Sequence, residues 1–135
     1  MTSELGKIGW IDLTVPDAGR VRDFYREVVG WRSEGVDMGG YQDFCMLPED
    51  GGAVAGVCHA RGTNEGIPPQ WLIYVTVADL ARSLERCRAL GGEIVRPPRG
   101  LGGQGRFAIV RDPAGAVCAL FQKDGLKDGQ KEGSS

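Results

Sequence analysis

The alternation of apolar and polar positions is written into this chain twice. Trp10-Ile-Asp-Leu-Thr-Val-Pro-Asp17 is echoed by Leu72-Ile-Tyr-Val-Thr-Val-Ala-Asp79, an offset of 79 − 17 = 62. Gly30 meets Gly92 at the same offset. Phe44-Cys-Met-Leu47 meets Phe107-Ala-Ile-Val110, and Gly52-Ala-Val54 meets Gly115-Ala-Val117, both at 107 − 44 = 63. A period of about 60 residues present in two copies is too long and too few for a solenoid. It suits two copies of one small α+β module.

Within the first copy, Gly9 to Val15 alternates as a strand does, and Pro16-Asp17 ends it. Asp17 is placed to cap a helix. Val21, Phe24, Tyr25, Val28 and Val29 follow at i, i+3, i+4, i+7 and i+8, one helix face, and Gly30 stops the helix. Trp31–Val36, Tyr41–Leu47 and Ala53–Ala60 read as three further strands, with a turn at Glu49–Gly52 between the last two. His59 to Pro69 reads as a linker. The second copy repeats the order: a strand at Trp71–Val77, a helix capped by Asp79 using Leu80, Leu84, Cys87 and Leu90, and a short strand at Glu93–Arg96. A mobile loop at Pro97–Gly105 follows, then strands at Arg106–Arg111 and Ala116–Gln122.

Each copy is thus β-α-β-β-β. The expected fold is α+β: the two modules pair into a curved eight-stranded mixed sheet, helices on the convex side and a cleft on the concave side. We expect a single domain over residues 1–123, with module one at about 7–60 and module two at about 70–122, and a polar flexible tail over 124–135.

Composition narrows the function. Of 135 residues 41% are hydrophobic, enough for a packed core, and the net charge is −2 with scattered basic residues. That balance points away from nucleic acid and anionic membranes as partners. No apolar run reaches the length of a membrane span, and the N-terminal Met-Thr-Ser-Glu-Leu-Gly-Lys lacks a signal core. Cys45, Cys58, Cys87 and Cys118 show no C-x-x-C spacing. Reduced thiols in a cytoplasmic protein are the expectation.

At this point the residues carry a resemblance. Thr14-Val-Pro-Asp17 closing the first strand, Phe24-Tyr25 with Gly30-Trp31 after the helix, Leu90-Gly91-Gly92, and the turn Asp112-Pro-Ala-Gly115 before a last apolar strand together resemble the vicinal oxygen chelate superfamily. That superfamily includes glyoxalase I, extradiol dioxygenases, methylmalonyl-CoA epimerase and the fosfomycin and bleomycin resistance proteins. The resemblance covers Lys7 to about Gln122. Trp10-Ile-Asp-Leu, Gly30-Trp31 and Pro68-Pro-Gln-Trp71 look most like its glyoxalase-like branch.

The resemblance implies four metal-ligand positions, one on the first and one on the last strand of each module. Carried over, they are Trp10, Leu72, Ala119 and Gly56. None offers a side-chain donor, whereas a divalent metal needs several converging nitrogen or oxygen atoms. A two-residue slip of register would admit Asp12, Cys58 and Tyr74, without the usual partners. No metal and no cofactor are therefore expected.

Residues two apart share a strand face. If Trp10 faces the cleft, so do Asp12 and Thr14, and in the second copy Leu72, Tyr74 and Thr76. The last strands add Val54, Gly56, Cys58, Val117, Ala119 and Phe121. Such a lining suits a planar or amphipathic small molecule, and Gly56 and Ala119 leave room for it. Asp12 among aromatic walls would be a general base, or else a structural hydrogen-bond partner of backbone or of Tyr74. Trp10 and Tyr74 either stack on a ligand or fill the cleft. The lone His59 is expected as a solvated residue opening the linker. Gly100-Leu-Gly-Gly-Gln-Gly105 spells G-x-G-x-x-G but precedes a strand rather than a helix, so it reads as a flexible lid and not as a nucleotide site.

The function these readings favour is metal-independent binding of a small aromatic or amphipathic molecule, ligand-binding residues being Trp10, Asp12, Gly56, Cys58, Leu72, Tyr74, Ala119 and Phe121. The alternative is a glyoxalase-like lyase, isomerase or dioxygenase with Asp12 as catalytic base or a non-standard metal site. A third is a structural or regulatory module with a filled cleft. The resemblance further implies a homodimer.

Overall fold

The computed structural model of the chain describes residues 3–124. Its elements run β1 (Ile8–Val15), α1 (Ala18–Val29), β2 (Arg32–Asp37), β3 (Gln42–Leu47), β4 (Ala55–His59), β5 (Trp71–Thr76), α2 (Leu80–Ala89), β6 (Glu93–Gly100), β7 (Gly105–Arg111) and β8 (Val117–Lys123), with one 3-10 turn at Gly62–Asn64. The β-α-β-β-β order occurs twice in an α+β protein with mixed pairing, as the repeat predicted. Apart from Asp124, whose N–H donates to the Gln104 carbonyl (3.0 Å), the expected tail lies outside the described residues. No described helix is long and apolar enough to cross a membrane.

Two compact units emerge, one spanning Trp10–Leu72 and the other joining the residues up to Gly9 to those from Ile73 on. In the first unit the strands lie in the order β2-β3-β4-β1. β1 and β4 are parallel, while β3 is antiparallel to both of its neighbours. Leu13, Val15, Phe44, Met46, Ala55 and Val57 turn one sheet face toward Ala18, Val21 and Tyr25 of α1. Trp31 and Trp71 close this core. The Trp71 indole N–H donates to the Tyr25 hydroxyl (3.1 Å), and the rings of Tyr25, Trp31 and Trp71 lie 5.3–6.1 Å apart.

The apolar stripe of α1 is only partly covered. Val21 and Tyr25 pack into the core, but Phe24, Val28 and Val29 are more than half exposed. The stripe is wider than the strip of sheet beneath it.

The second unit repeats the design in the order β5-β8-β7-β6. Leu80 and Leu84 of α2 pack on Ala108 and Val110. The backbone before β1 joins this unit: Gly6 N–H donates to the Thr76 carbonyl (2.8 Å), and Thr76 N–H to the Lys7 carbonyl (3.0 Å).

The repeat reaches the level of single hydrogen bonds. Asp17 caps α1 through the Arg20 N–H (3.1 Å) and Asp79 caps α2 through the Arg82 N–H (3.0 Å). Asp12 stands beside Gly56 in one parallel pair, and Tyr74 beside Ala119 in the other, the same two positions moved by 62 and 63.

Two expectations around the second unit's loop are corrected. β6 continues through Pro97 and Pro98 to Gly100 rather than ending at Arg96. It is the outer strand beside β7, and shifts of register after Ile94 and Arg96 absorb the prolines, which have no N–H to give the ladder. Gly100–Gly105 is accordingly not a lid. Gly100 pairs with Arg106, Gly105 opens β7, and a tight turn joins them through Leu101 N–H to the Gly105 carbonyl (2.9 Å).

Candidate functional site

Because strand side chains alternate, the face of the first unit opposite α1 carries Trp10, Asp12 and Thr14 of β1, Gly56 and Cys58 of β4, and Asp43 and Cys45 of β3. Register lines up one row across four strands: Asp12 beside Gly56, Gly56 opposite Cys45, Cys45 opposite Glu34. Along β1 the Trp10 indole N–H donates to Asp12 Oδ1 (2.9 Å). The glycine makes this pair possible. A Cβ on residue 56 would collide with Asp12 Oδ1 and sit 3.4 Å from Trp10 Cζ2. Trp10, Asp12, Cys45 and Cys58 are all half-buried.

The two thiols on this face are held protonated. Burial pushes Cys58 far above its ordinary value, and the carboxylates of Asp12 and Asp43, together with a side-chain hydrogen bond to Asp43, push the same way. Cys45 is raised by burial first and then by Asp12 and Glu34. Neither thiol is set up as a nucleophile.

At the end of β4 the expectation for His59 is corrected. It is not a solvated linker residue but the last residue of the strand, with a side chain 21% exposed. Its Nδ1 lies 3.2 Å from Asp43 Oδ1, and its backbone N–H donates to the same oxygen (2.9 Å). Tyr41 meets the imidazole edge-on at 5.5 Å, Phe44 lies 6.3 Å away, and the Arg61 guanidinium rests 3.9 Å above the Tyr41 ring. The sequence reading overlooked Asp43. Its clue was present, since two residues before Cys45 puts it on the same face and opposite Cys58.

The remaining predicted residues lie deeper. Leu72, Tyr74 and Ala119 are 1%, 8% and 0% exposed, while Phe121 is half-buried. In the second unit Tyr74 packs on Phe107 (5.7 Å), and Arg99 lies 5.1 Å from that ring.

The family-type metal positions present an indole, a glycine hydrogen, an isobutyl group and a methyl group. Among the described residues no three His, Cys, Asp or Glu side chains are grouped to hold a metal ion. This donor set does not fit a divalent cation.

With this geometry in place, comparison with known proteins gives a consistent result. The family model described as Glyoxalase/Bleomycin resistance protein/Dioxygenase superfamily matches residues 7–120. The chain is 31% identical over 119 residues to the provisionally named glyoxylase CFP32 of Mycobacterium tuberculosis, covering 87% of this chain and 46% of that one. It is 31% identical over 136 residues to the anthracycline biosynthesis protein DnrV of Streptomyces peucetius, covering 92% and 49%. It thus spans about half the length of these relatives. Among solved structures, methylmalonyl-CoA epimerase of M. tuberculosis superposes with a TM-score of 0.52 at 16% identity, over 91% of this chain and 92% of that one. A hypothetical protein of Bacillus halodurans gives 0.57 at 12% identity, over 96% and 98%. These two likenesses concern the fold alone.

Proposed function

The chain belongs to the Glyoxalase/Bleomycin resistance protein/Dioxygenase superfamily, and from that premise we propose that it binds a small planar aromatic or amphipathic molecule, without a metal ion, on the face built by Trp10, Asp12, Gly56 and Cys58. The observation that carries this reading is the indole–carboxylate pair seated over Gly56, with Trp10 and Gly56 at positions where the resemblance implies metal ligands. The indole offers a stacking surface and the carboxylate an acceptor for an amine or hydroxyl on the guest. The names of the Streptomyces relatives point the same way, because anthracyclines are fused-ring aromatics. The reading includes a homodimer, as the resemblance to the superfamily implies.

Asp12 as a catalytic base is the less favoured reading. Its Oδ1 already accepts the Trp10 N–H, so that oxygen is engaged in holding the indole.

The test uses EDTA-treated protein and a soluble aminoanthraquinone as probe, read by thermal shift and by quenching of indole fluorescence. Saturable stabilisation is expected, approaching about 2.7 kcal/mol at a hundredfold excess over Kd. Trp10→Ala should abolish it and Asp12→Asn should leave most of it. No shift in the wild-type protein, or a shift that appears only when divalent metal is restored, would refute the proposal.

A further inference from the structure

We infer that the second unit carries an anion site of its own, on the sheet face opposite α2: Arg96 and Arg99 take the carboxylate or phosphate of a small organic molecule whose apolar part lies against Phe121. The site uses no residue of the Trp10 face and survives or fails independently of it.

Cross-strand register places the group. Leu80 and Leu84 of α2 cover Ala108 and Val110, so Phe107 and Ile109 turn to the other face. Arg99 stands opposite Phe107 and Arg96 opposite Ile109. On the other side of β7, Phe121 stands opposite Phe107 and Lys123 opposite Gly105. Residues opposite each other share a face, so these three cations gather over aromatic side chains. In a regular strand Arg96 and Arg99, three residues apart, would point to opposite sides. The shift of register between them, at Pro97 and Pro98, is what brings both to one side.

The rings hold the cations in place. The Arg99 guanidinium lies 5.1 Å from the Phe107 centroid, and Phe107 rests on Tyr74 at 5.7 Å. The Phe121 ring lies over Gly105, where a Cβ would come within 2.8 Å of it. A guanidinium seated on a ring keeps its edge for bidentate bonds to an oxyanion. It has five donors, so a bond inside the protein, such as Arg96 Nη1 to the Val95 carbonyl (2.9 Å), does not exhaust it. Glu93, the acid that β6 brings to this face, is engaged by Arg111 at 2.6 Å. Arg96, Arg99 and Phe121 are half-buried and Lys123 is exposed, so a guest can reach them.

The duplication shows that the fold demands none of this charge. In the first unit one row of the sheet reads Asp12, Gly56, Cys45, Glu34. The same row of the second unit reads Tyr74, Ala119, Ile109, Arg96. One row further along, Asp43 stands opposite Val36 where Phe107 stands opposite Arg99. Acids occupy the row in one copy, and a guanidinium and a phenol in the other. A scaffold that folds with Glu34 and Val36 at these places has no structural need of two arginines there. With three cations in a chain of net charge −2, the site suits one small anion rather than a polyanion.

The probes are 2-naphthoate, 2-naphthyl phosphate and the neutral 2-naphthamide, titrated into the full chain by isothermal calorimetry. An acid is expected to bind saturably and the amide at least about tenfold more weakly. Tighter naphthoate assigns a carboxylate guest, and tighter naphthyl phosphate a phosphate ester. Arg96→Met and Arg99→Met should each weaken the acid about tenfold or more, the loss of a charge-assisted hydrogen bond. Lys123→Gln should weaken it about threefold, as an exposed charge does. Glu34→Gln, at the matching place in the first unit, should leave it unchanged. Failure of both acids to bind, equal binding of acid and amide, or unchanged binding by arginine variants with wild-type circular dichroism would overturn the inference. Should those variants fail to fold, the wild-type protein decides alone. Its affinity for the acid should fall severalfold between about 50 and 500 mM KCl, and that for the amide should not; an acid affinity indifferent to salt would sink the proposal.

Discussion

Replacing Gly56 by Ala tests the geometry of the binding face through one methyl group. The new Cβ would occupy the place of Asp12 Oδ1, so the carboxylate must rotate away and the Trp10 N–H loses its acceptor. A hydrogen bond to a charged group is worth about 1.5–3 kcal/mol, and the half-burial of this pair favours the low end. Alanine recovers about 0.5–1 kcal/mol through a less flexible unfolded chain. The net loss should be about 1 kcal/mol, a fall in Tm of about 4 °C for a domain of this size. In an Asp12→Ala background the collision is gone and the acceptor already missing, so Gly56→Ala should become neutral or stabilising. The coupling between the two substitutions should be about 1.5–2 kcal/mol. Urea unfolding of the four proteins, followed by circular dichroism and indole fluorescence, measures it. Additivity within about 0.5 kcal/mol would refute the claim that Gly56 exists to seat the Trp10–Asp12 pair.

The Cys58 thiol is held above the 9.0 of an ordinary cysteine by burial and its two carboxylate neighbours. The unfolded chain therefore ionises first as pH rises, so this contribution to stability is intact below about pH 9 and lost above it. Urea midpoints should fall between pH 8 and pH 10.5, and Cys58→Ala should flatten that fall; an unchanged slope would contradict the assignment. Gly30 ends α1 at φ 88°, where a side chain costs about 1 kcal/mol, so Gly30→Ala should lower the thermal midpoint while leaving aminoanthraquinone binding intact. Trp71→Phe removes the donor to the Tyr25 hydroxyl; paired with Tyr25→Phe in a double-mutant cycle it should show a coupling of about 1 kcal/mol, and no coupling would mean that the bond contributes nothing.

The duplication made most of the fold legible. Matching Asp17 to Asp79 located both helix caps, and the offset of 63 placed Gly56 and Ala119 at one equivalent position, as the parallel pairs at Asp12 and Tyr74 do. What escaped the sequence depends on contacts between strands. Pro97-Pro98 reads locally as a loop, and only its place on the outer strand lets β6 run through it. The need for glycine at position 56 comes from Asp12, 44 residues away in sequence. The Asp43–His59 pair joins residues 16 apart on β3 and β4 and depends on the register of those two strands. The half-exposed stripe of α1 was invisible for a like reason, since periodicity fixes the direction of a helix face and not the width of sheet beneath it.

The central claim, that this face works through an aromatic–carboxylate pair rather than a metal, is tested most directly by native mass spectrometry. The protein should be untagged and purified without chelators. The account predicts the mass of a metal-free dimer, alone or with an added mass that an aminoanthraquinone displaces. A stoichiometric divalent metal bound to the folded chain would contradict it.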